Sequence, residues 1–328
     1  MKKTSIILAA FLLILFTFSC DDSQDTKKLP TALEFLEAKG NYKILIKALT
    51  KTNLTNTFKN PGSVTLFAPN DAAFSTANIS EASIDAMTTA QTADLTKILQ
   101  YHVINVGTQS FDLPNGGYTN TICASTFGTS TVNISLFVNR ANGMLLNGGA
   151  TNGGATVTSS DNYVSNGIIH EISNVMSLPK VTNLIVANPI LTKLVGIVAS
   201  APQAAILTDL STTATGVTTA LSRTVFAPTN KAFDNATFLT GQSDANITKV
   251  LNYHIENNNR RATSSTVFAA TNTVINTQLT APQQTITVTG NTVKIVDTTT
   301  ANAAISVANA QAINGVVHII DKVLQPVL

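Results

Sequence analysis

Tryptophan is missing from this 328-residue chain, which has two cysteines, four histidines, five tyrosines and only 12% charged residues. Each shortage excludes something. With no Trp and few Tyr, the chain is short of the ring platforms on which sugars stack. Two cysteines cannot build a disulfide framework, and Cys123 reads as a small packed residue, with no cation or His beside it to activate the thiol. The histidines, His102, His170, His254 and His318, sit singly on apolar runs and are not grouped at ligand spacing, so no metal site is expected. No Gly-x-Ser-x-Gly elbow and no phosphate-cradling Gly-x-x-x-x-Gly-Lys loop occurs. Lys and Arg number 20 against 18 Asp and Glu, without clustering, which gives no electrostatic case for nucleic acid. Arg260-Arg261 reads as a solvated loop pair. The expectation is a protein that is not an enzyme and takes no cofactor or metal.

What is present begins at the N-terminus. Lys2 and Lys3 precede an apolar run over 6–18 that ends at Ser19-Cys20. Residues 1–19 read as a secretory signal, too short for a confident membrane span. A Cys after a small residue at that place resembles the bacterial lipoprotein cleavage box, which implies acylation of Cys20 as the mature N-terminus. Thr17 and Phe18 depart from the small aliphatic pair commonest in that box. Residues 20–29 then read as the lipidated Cys and a flexible tether. The acidic residues after Cys20 resemble the surface-export signal of Bacteroidetes lipoproteins.

The rest is written twice. Asn166-Gly167-Ile168-Ile169-His170 returns as Asn314-Gly315-Val316-Val317-His318, and each copy reads as a two-residue turn followed by a buried closing strand. Val64 to Phe74, with Ala68-Pro69 at its centre, returns as Thr224 to Phe233. This is a strand stopped by Pro and followed by a capped helix that carries Phe74 or Phe233 inward. Leu99-Gln100-Tyr101-His102 returns as Leu251-Asn252-Tyr253-His254, at the end of a helical pattern in each copy. Tyr42, Leu45, Ile46 and Leu49, and likewise Leu191, Leu194, Val195 and Val198, have the spacing of one helix face, with Asn188-Pro189 as cap and first turn of the second. Pro202 should end that helix or begin another.

Period-two patterns follow. Val132, Ile134, Leu136 and Val138 mark a half-buried strand, and Ile286 and Val288 lead to a Gly290-Asn291 turn with Val293 and Ile295 on the return. The Gly pairs near Asn147 and Asn152 mark loops where the copies could differ in binding. The distance between matched motifs shrinks steadily from Phe67–Phe226 through His102–His254 to His170–His318, as small deletions in the second copy require. The expected division is 30–179 for one domain and 180–328 for another, closely coupled near Pro179 to Thr182.

With these motifs in order, each half resembles a fasciclin-type domain, a family of secreted and surface adhesion modules. The resemblance implies an α+β fold, several helices packed on a twisted β-wedge, repeated in tandem. It assigns Asn166, Gly167, His170, Asn314, Gly315, His318 and Asp321 to structural motifs, with Ser173 standing in the first copy where Asp321 stands in the second. It also makes Tyr101, His102, Tyr253 and His254 candidates for an adhesion surface. The function expected is a lipid-anchored protein of the bacterial cell envelope, surface-exposed on the outer membrane, mediating adhesion or binding of an extracellular protein or polysaccharide. The alternative is a ligand-binding accessory lipoprotein of a glycan or nutrient uptake system.

Overall fold

The computed structural model describes residues 28–212, 222–261, 273–280, 283–288 and 303–328. The expected signal, Cys20 and most of the tether lie outside the described residues, as do Gly290-Asn291, Val293 and Ile295.

The chain builds one plan twice. The first unit runs α1 (Ala32–Lys39), α2 (Lys43–Lys51), α3 (Thr55–Lys59), β1 (Val64–Pro69), α4 (Asp71–Thr76), α5 (Glu81–Asp85) and α6 (Thr89–Tyr101). It continues through β2 (Val103–Ile104), β3 (Gly117–Phe127), β4 (Ser130–Asn139), β5 (Leu145–Leu146), β6 (Ala155–Val164) and β7 (Gly167–Ile172). The second runs α7 (Val181–Ala187), α8 (Thr192–Val198), α9 (Ala204–Ser211), β8 (Arg223–Pro228), α10 (Asn230–Asp234) and α11 (Asp244–Tyr253). Then come β9 (Ile255–Glu256), β10 (Thr273–Thr280), β11 (Gln283–Val288), β12 (Ile305–Ala312) and β13 (Gly315–Ile320).

Local chemistry sets the element ends. Thr31 and Glu34, and Thr88 and Gln91, close reciprocal capping boxes at α1 and α6, while Asn70, Thr229 and Ser243 cap α4, α10 and α11. Gly40 ends α1 in the left-handed conformation at φ 74°. Pro202 opens a 3-10 turn over 201–203 that leads into α9. No single helix among the described residues is long and apolar enough to cross a membrane.

At the centre of each sheet the repeat strands lie parallel, β1 with β7 and β8 with β13, in the same register: Phe67 faces His170 and Phe226 faces His318. Parallel neighbours need a long crossover, and everything between β1 and β7 supplies it. The strand orders are β2-β1-β7-β6-β5-β4-β3 and β11-β10-β9-β8-β13-β12. Helices cover the first sheet with Leu36, Leu45, Leu49, Phe58 and Phe74, all buried, and the second with Leu184, Leu194 and Leu210.

The structure corrects three sequence expectations. The turn residues are Ser165-Asn166 and Ile313-Asn314, one place earlier than Asn-Gly, and each Gly is the first strand residue. Gly167 and Gly315 have φ of 152° and 154°, and a Cβ there would lie 2.0 Å and 2.1 Å from the Val64 and Arg223 carbonyl oxygens. The glycine is thus required by the approach of the parallel neighbour. Second, β4 is buried on both faces over 134–138, because it packs against β12 and α7 of the second unit, with Ser135 accepting from the Gln311 amide. Third, the Gly-rich loop near Asn147 is a docking surface for α7: Gly148 sits against Ala187, and Asn152 exchanges hydrogen bonds with Asn183.

Candidate functional site

The four histidines carry matched roles. His102 follows the last residue of α6, where its Nδ1 meets the Ile98 carbonyl at 2.7 Å and its Nε2 meets the Met176 amide at 2.9 Å. His254 repeats this with Val250 and Leu324, at 2.7 and 2.9 Å. A carbonyl only accepts and an amide only donates, so both rings are neutral with the proton on Nδ1. His170 and His318 take the opposite tautomer. Nε2 donates to the Thr108 carbonyl at 3.1 Å or the Arg260 carbonyl at 3.0 Å, and Nδ1 accepts from the amide of Asp161 or Asn309. Their rings stack on Phe67 and Phe226. Burial drives His102, His254 and His318 down to about 4, and lowers His170.

Asn166 and Asn314 are clamps. Asn166 accepts from the Ala32 amide at the start of α1 and donates to the Phe58 and Asn60 carbonyls at the end of α3. Asn314 accepts from the Val181 amide and donates to the Leu210 and Thr212 carbonyls. Below them, the Asp321 carboxylate accepts from the Ala304 amide at 2.7 Å, and Ser173 Oγ accepts from the Thr156 amide at 3.0 Å. The hydroxyl thus does in the first copy what the carboxylate does in the second.

The expected adhesion residues are overturned by burial. Tyr101, His102, Tyr253 and His254 are 0, 1, 0 and 4% exposed, so no partner can touch them in this fold. Tyr101 donates to the Ser135 carbonyl and accepts from Asn147, holding α6 to β4. The physical reason lies in the helix end, where His102 satisfies free carbonyls from inside the core. Arg260-Arg261 is likewise not a solvated pair. Arg260 engages the buried Glu256, and Arg261 donates to Gln311 Oε1 at 2.9 Å. Cys123 is fully buried and its thiol is pushed up to about 11 by desolvation. Among the described residues no group of three or more His, Cys, Asp and Glu is placed to hold a metal ion.

The exposed apolar residues lie elsewhere. Val106, Phe111 and Tyr163 are 54, 63 and 50% exposed. Tyr163 pairs with Ile168, which pairs with Thr65, so these side chains share one sheet face. The 105–113 loop crosses that face. Thr65 Oγ1 donates to the Val106 carbonyl, and Asp161 accepts from the Ser110 amide and hydroxyl. In the second unit the residue matching Tyr163, three before the Asn clamp, is Gln311. It is fully buried, and its amide donates to Ser135 Oγ of the first unit. This position of the face is therefore covered in the second unit and open to solvent in the first. The sequence signals were apolar-for-polar differences between aligned copies, Tyr163 against Gln311 and Val106 against Asn258, outside every motif.

The fasciclin domain family model matches residues 40–179 and 194–326. No curated protein sequence matches the chain. Among solved structures, a FAS1 domain pair from the insect cell adhesion molecule fasciclin I is similar at 15% identity and a TM-score of 0.44, covering 90% of this chain and 98% of that one. With two family matches spanning both sheets and most of the residues, the chain belongs to the fasciclin domain family and carries two such domains in tandem.

Proposed function

We propose that this protein is a non-catalytic, lipid-anchored component of the bacterial cell envelope, exposed on the outer membrane, that mediates adhesion by binding an extracellular protein or polysaccharide. Fasciclin domains are associated with adhesion and binding, and both halves of this chain match the family. The anchor is Cys20, acylated after removal of residues 1–19. The contact surface is the face of the first domain that carries Val106, Phe111 and Tyr163. The single observation that carries this choice is the asymmetry at one position of the two copies: Gln311 is buried against the first domain, whereas its counterpart Tyr163 stands open to solvent on the same domain as Val106 and Phe111.

The test is a triple substitution, Val106→Ser, Phe111→Ser and Tyr163→Ser, in the chain displayed on its native cells. Attachment or aggregation should drop while thermal stability is kept, and unchanged attachment would refute the surface. Fatty-acid labelling that persists in Cys20→Ser would refute the anchor.

A further inference from the structure

We infer that the second domain binds a small hydrocarbon molecule or group in a cavity that the first domain has filled. The cavity measures about 190 Å³ and lies between α7, α8, α9 and β8, with Phe226, Leu251 and His254 also in its wall. Matched hydrogen bonds align the domains residue by residue. Asn166 reaches the Phe58 carbonyl where Asn314 reaches that of Leu210, and the clamps accept from Ala32 and Val181. The Ile44 amide donates to Asp71 where the Lys193 amide donates to Asn230. In that alignment Phe58, Leu49, Leu66 and Leu33 become Leu210, Val198, Val225 and Thr182, all of which line the cavity. Each change removes volume or apolar surface from the same region. Ala48 becomes the larger Ile197, which does not line it, and Val103 becomes Ile255, which does and returns one methylene, less than the four other changes remove. Ile84 of α5, fully buried on the first helical layer, has no counterpart, because Phe238 and Leu239 pack instead beside Val250 and Val323.

The mouth has changed too, and in the opposite chemical direction. Glu37, Thr50 and Thr55 of the first domain correspond to Val186, Ala199 and Leu207, which border the cavity and are exposed or half-buried. A shrinking interior alone would leave a sealed void; an interior that shrinks behind a rim that turns apolar makes an entrance for an apolar guest.

The lining also defines the ligand. Its polar side chains are Thr182 and His254, and both nitrogens of His254 are already bonded to backbone. A guest that needed several hydrogen bonds would leave them unmade on entry. A dry cavity of roughly 150 Å³ with such a lining holds one benzene, so this one suits a ring or chain of roughly six to eight carbons.

Thermal unfolding of the full chain with and without saturating cyclohexane tests this. The melting temperature should rise by about 2–4 °C. In Leu210→Phe, which restores the ring of the first domain, the rise should vanish while the variant remains folded. Xenon-pressurised crystals should show density between Leu210 and Phe226. No shift in the native chain, or an undiminished shift in Leu210→Phe, overturns the proposal. If Leu210→Phe fails to fold, the paired change Thr182→Leu and Val198→Leu must abolish the shift, and its persistence there is equally fatal.

Discussion

A histidine buried as a neutral ring makes stability depend on pH. For His102, His254 and His318 the folded value is about 4 against 6.5 for the free side chain, so between those values the unfolded chain binds more protons. Stability is therefore fully present above about pH 6.5 and is lost as pH falls toward 4, at up to about 1.4 kcal/mol per pH unit for each ring. Urea midpoints measured from pH 7.5 to 4.5 should be flat at first and then drop steeply. A flat curve throughout would contradict the burial of these rings. Glycine offers a second contrast at this scale. Gly315→Ala places a methyl 2.1 Å from the Arg223 carbonyl oxygen and should cost about 3 kcal/mol or more, since the parallel strands must part. Gly40→Ala, with positive φ but open space around it, should cost only about 1–2 kcal/mol. Equal losses in chemical denaturation would mean that backbone conformation, not strand approach, selects both glycines.

Among the elements, the turn between the last two strands of each domain does most to organise the helices. One amide side chain ties the first helix and the end of the third to the sheet, so Asn314→Ala leaves the Leu210 and Thr212 carbonyls and the Val181 amide without that partner. The expected loss is about 3 kcal/mol or more, because buried groups stripped of a partner each cost about 1–3 kcal/mol. Asp321→Ser should cost about 1 kcal/mol or less, since Ser173 already performs the same contact in the first domain. Comparing the two midpoints separates a clamp from a replaceable contact. The clamp was legible as a repeated Asn-Gly, although its role was not. Sequence reasoning read a turn residue, because the helix ends that it holds lie more than a hundred residues away in the chain.

For the molecule as a whole, the consequential feature is the contact between domains. Tyr118 donates to the Leu184 carbonyl at 3.0 Å, accepts from Asn188 and packs edge-on against Phe137 at 5.0 Å, while the Ile313 amide donates to the Pro179 carbonyl. One face of α7 thus meets the first domain, and Thr182 and Ile185 on the same helix border the cavity of the second. Tyr118→Ala should uncouple the pair. Calorimetry should show one unfolding transition in the native chain and two in the variant, with each domain still folded by circular dichroism. Two transitions already present in the native chain would mean that the contact carries little coupling energy.

Repetition, periodicity and turn chemistry are local properties, and from them the sequence alone determined that one module is written twice, with a capped helix after each Pro-stopped strand, while the α+β fold followed from the family that those motifs resemble. Which residues face solvent was beyond it. Tyr101 and Tyr163 are both tyrosines near strand or helix ends, yet one is sealed by β4 and Asn147 and the other is bare. Only the packing of distant segments, and of one domain on the other, decided that difference. The same holds for the cavity, since a Phe-to-Leu or Leu-to-Val change reads as conservative along the chain, and becomes empty space only when three such changes and a Leu-to-Thr change converge on a single wall.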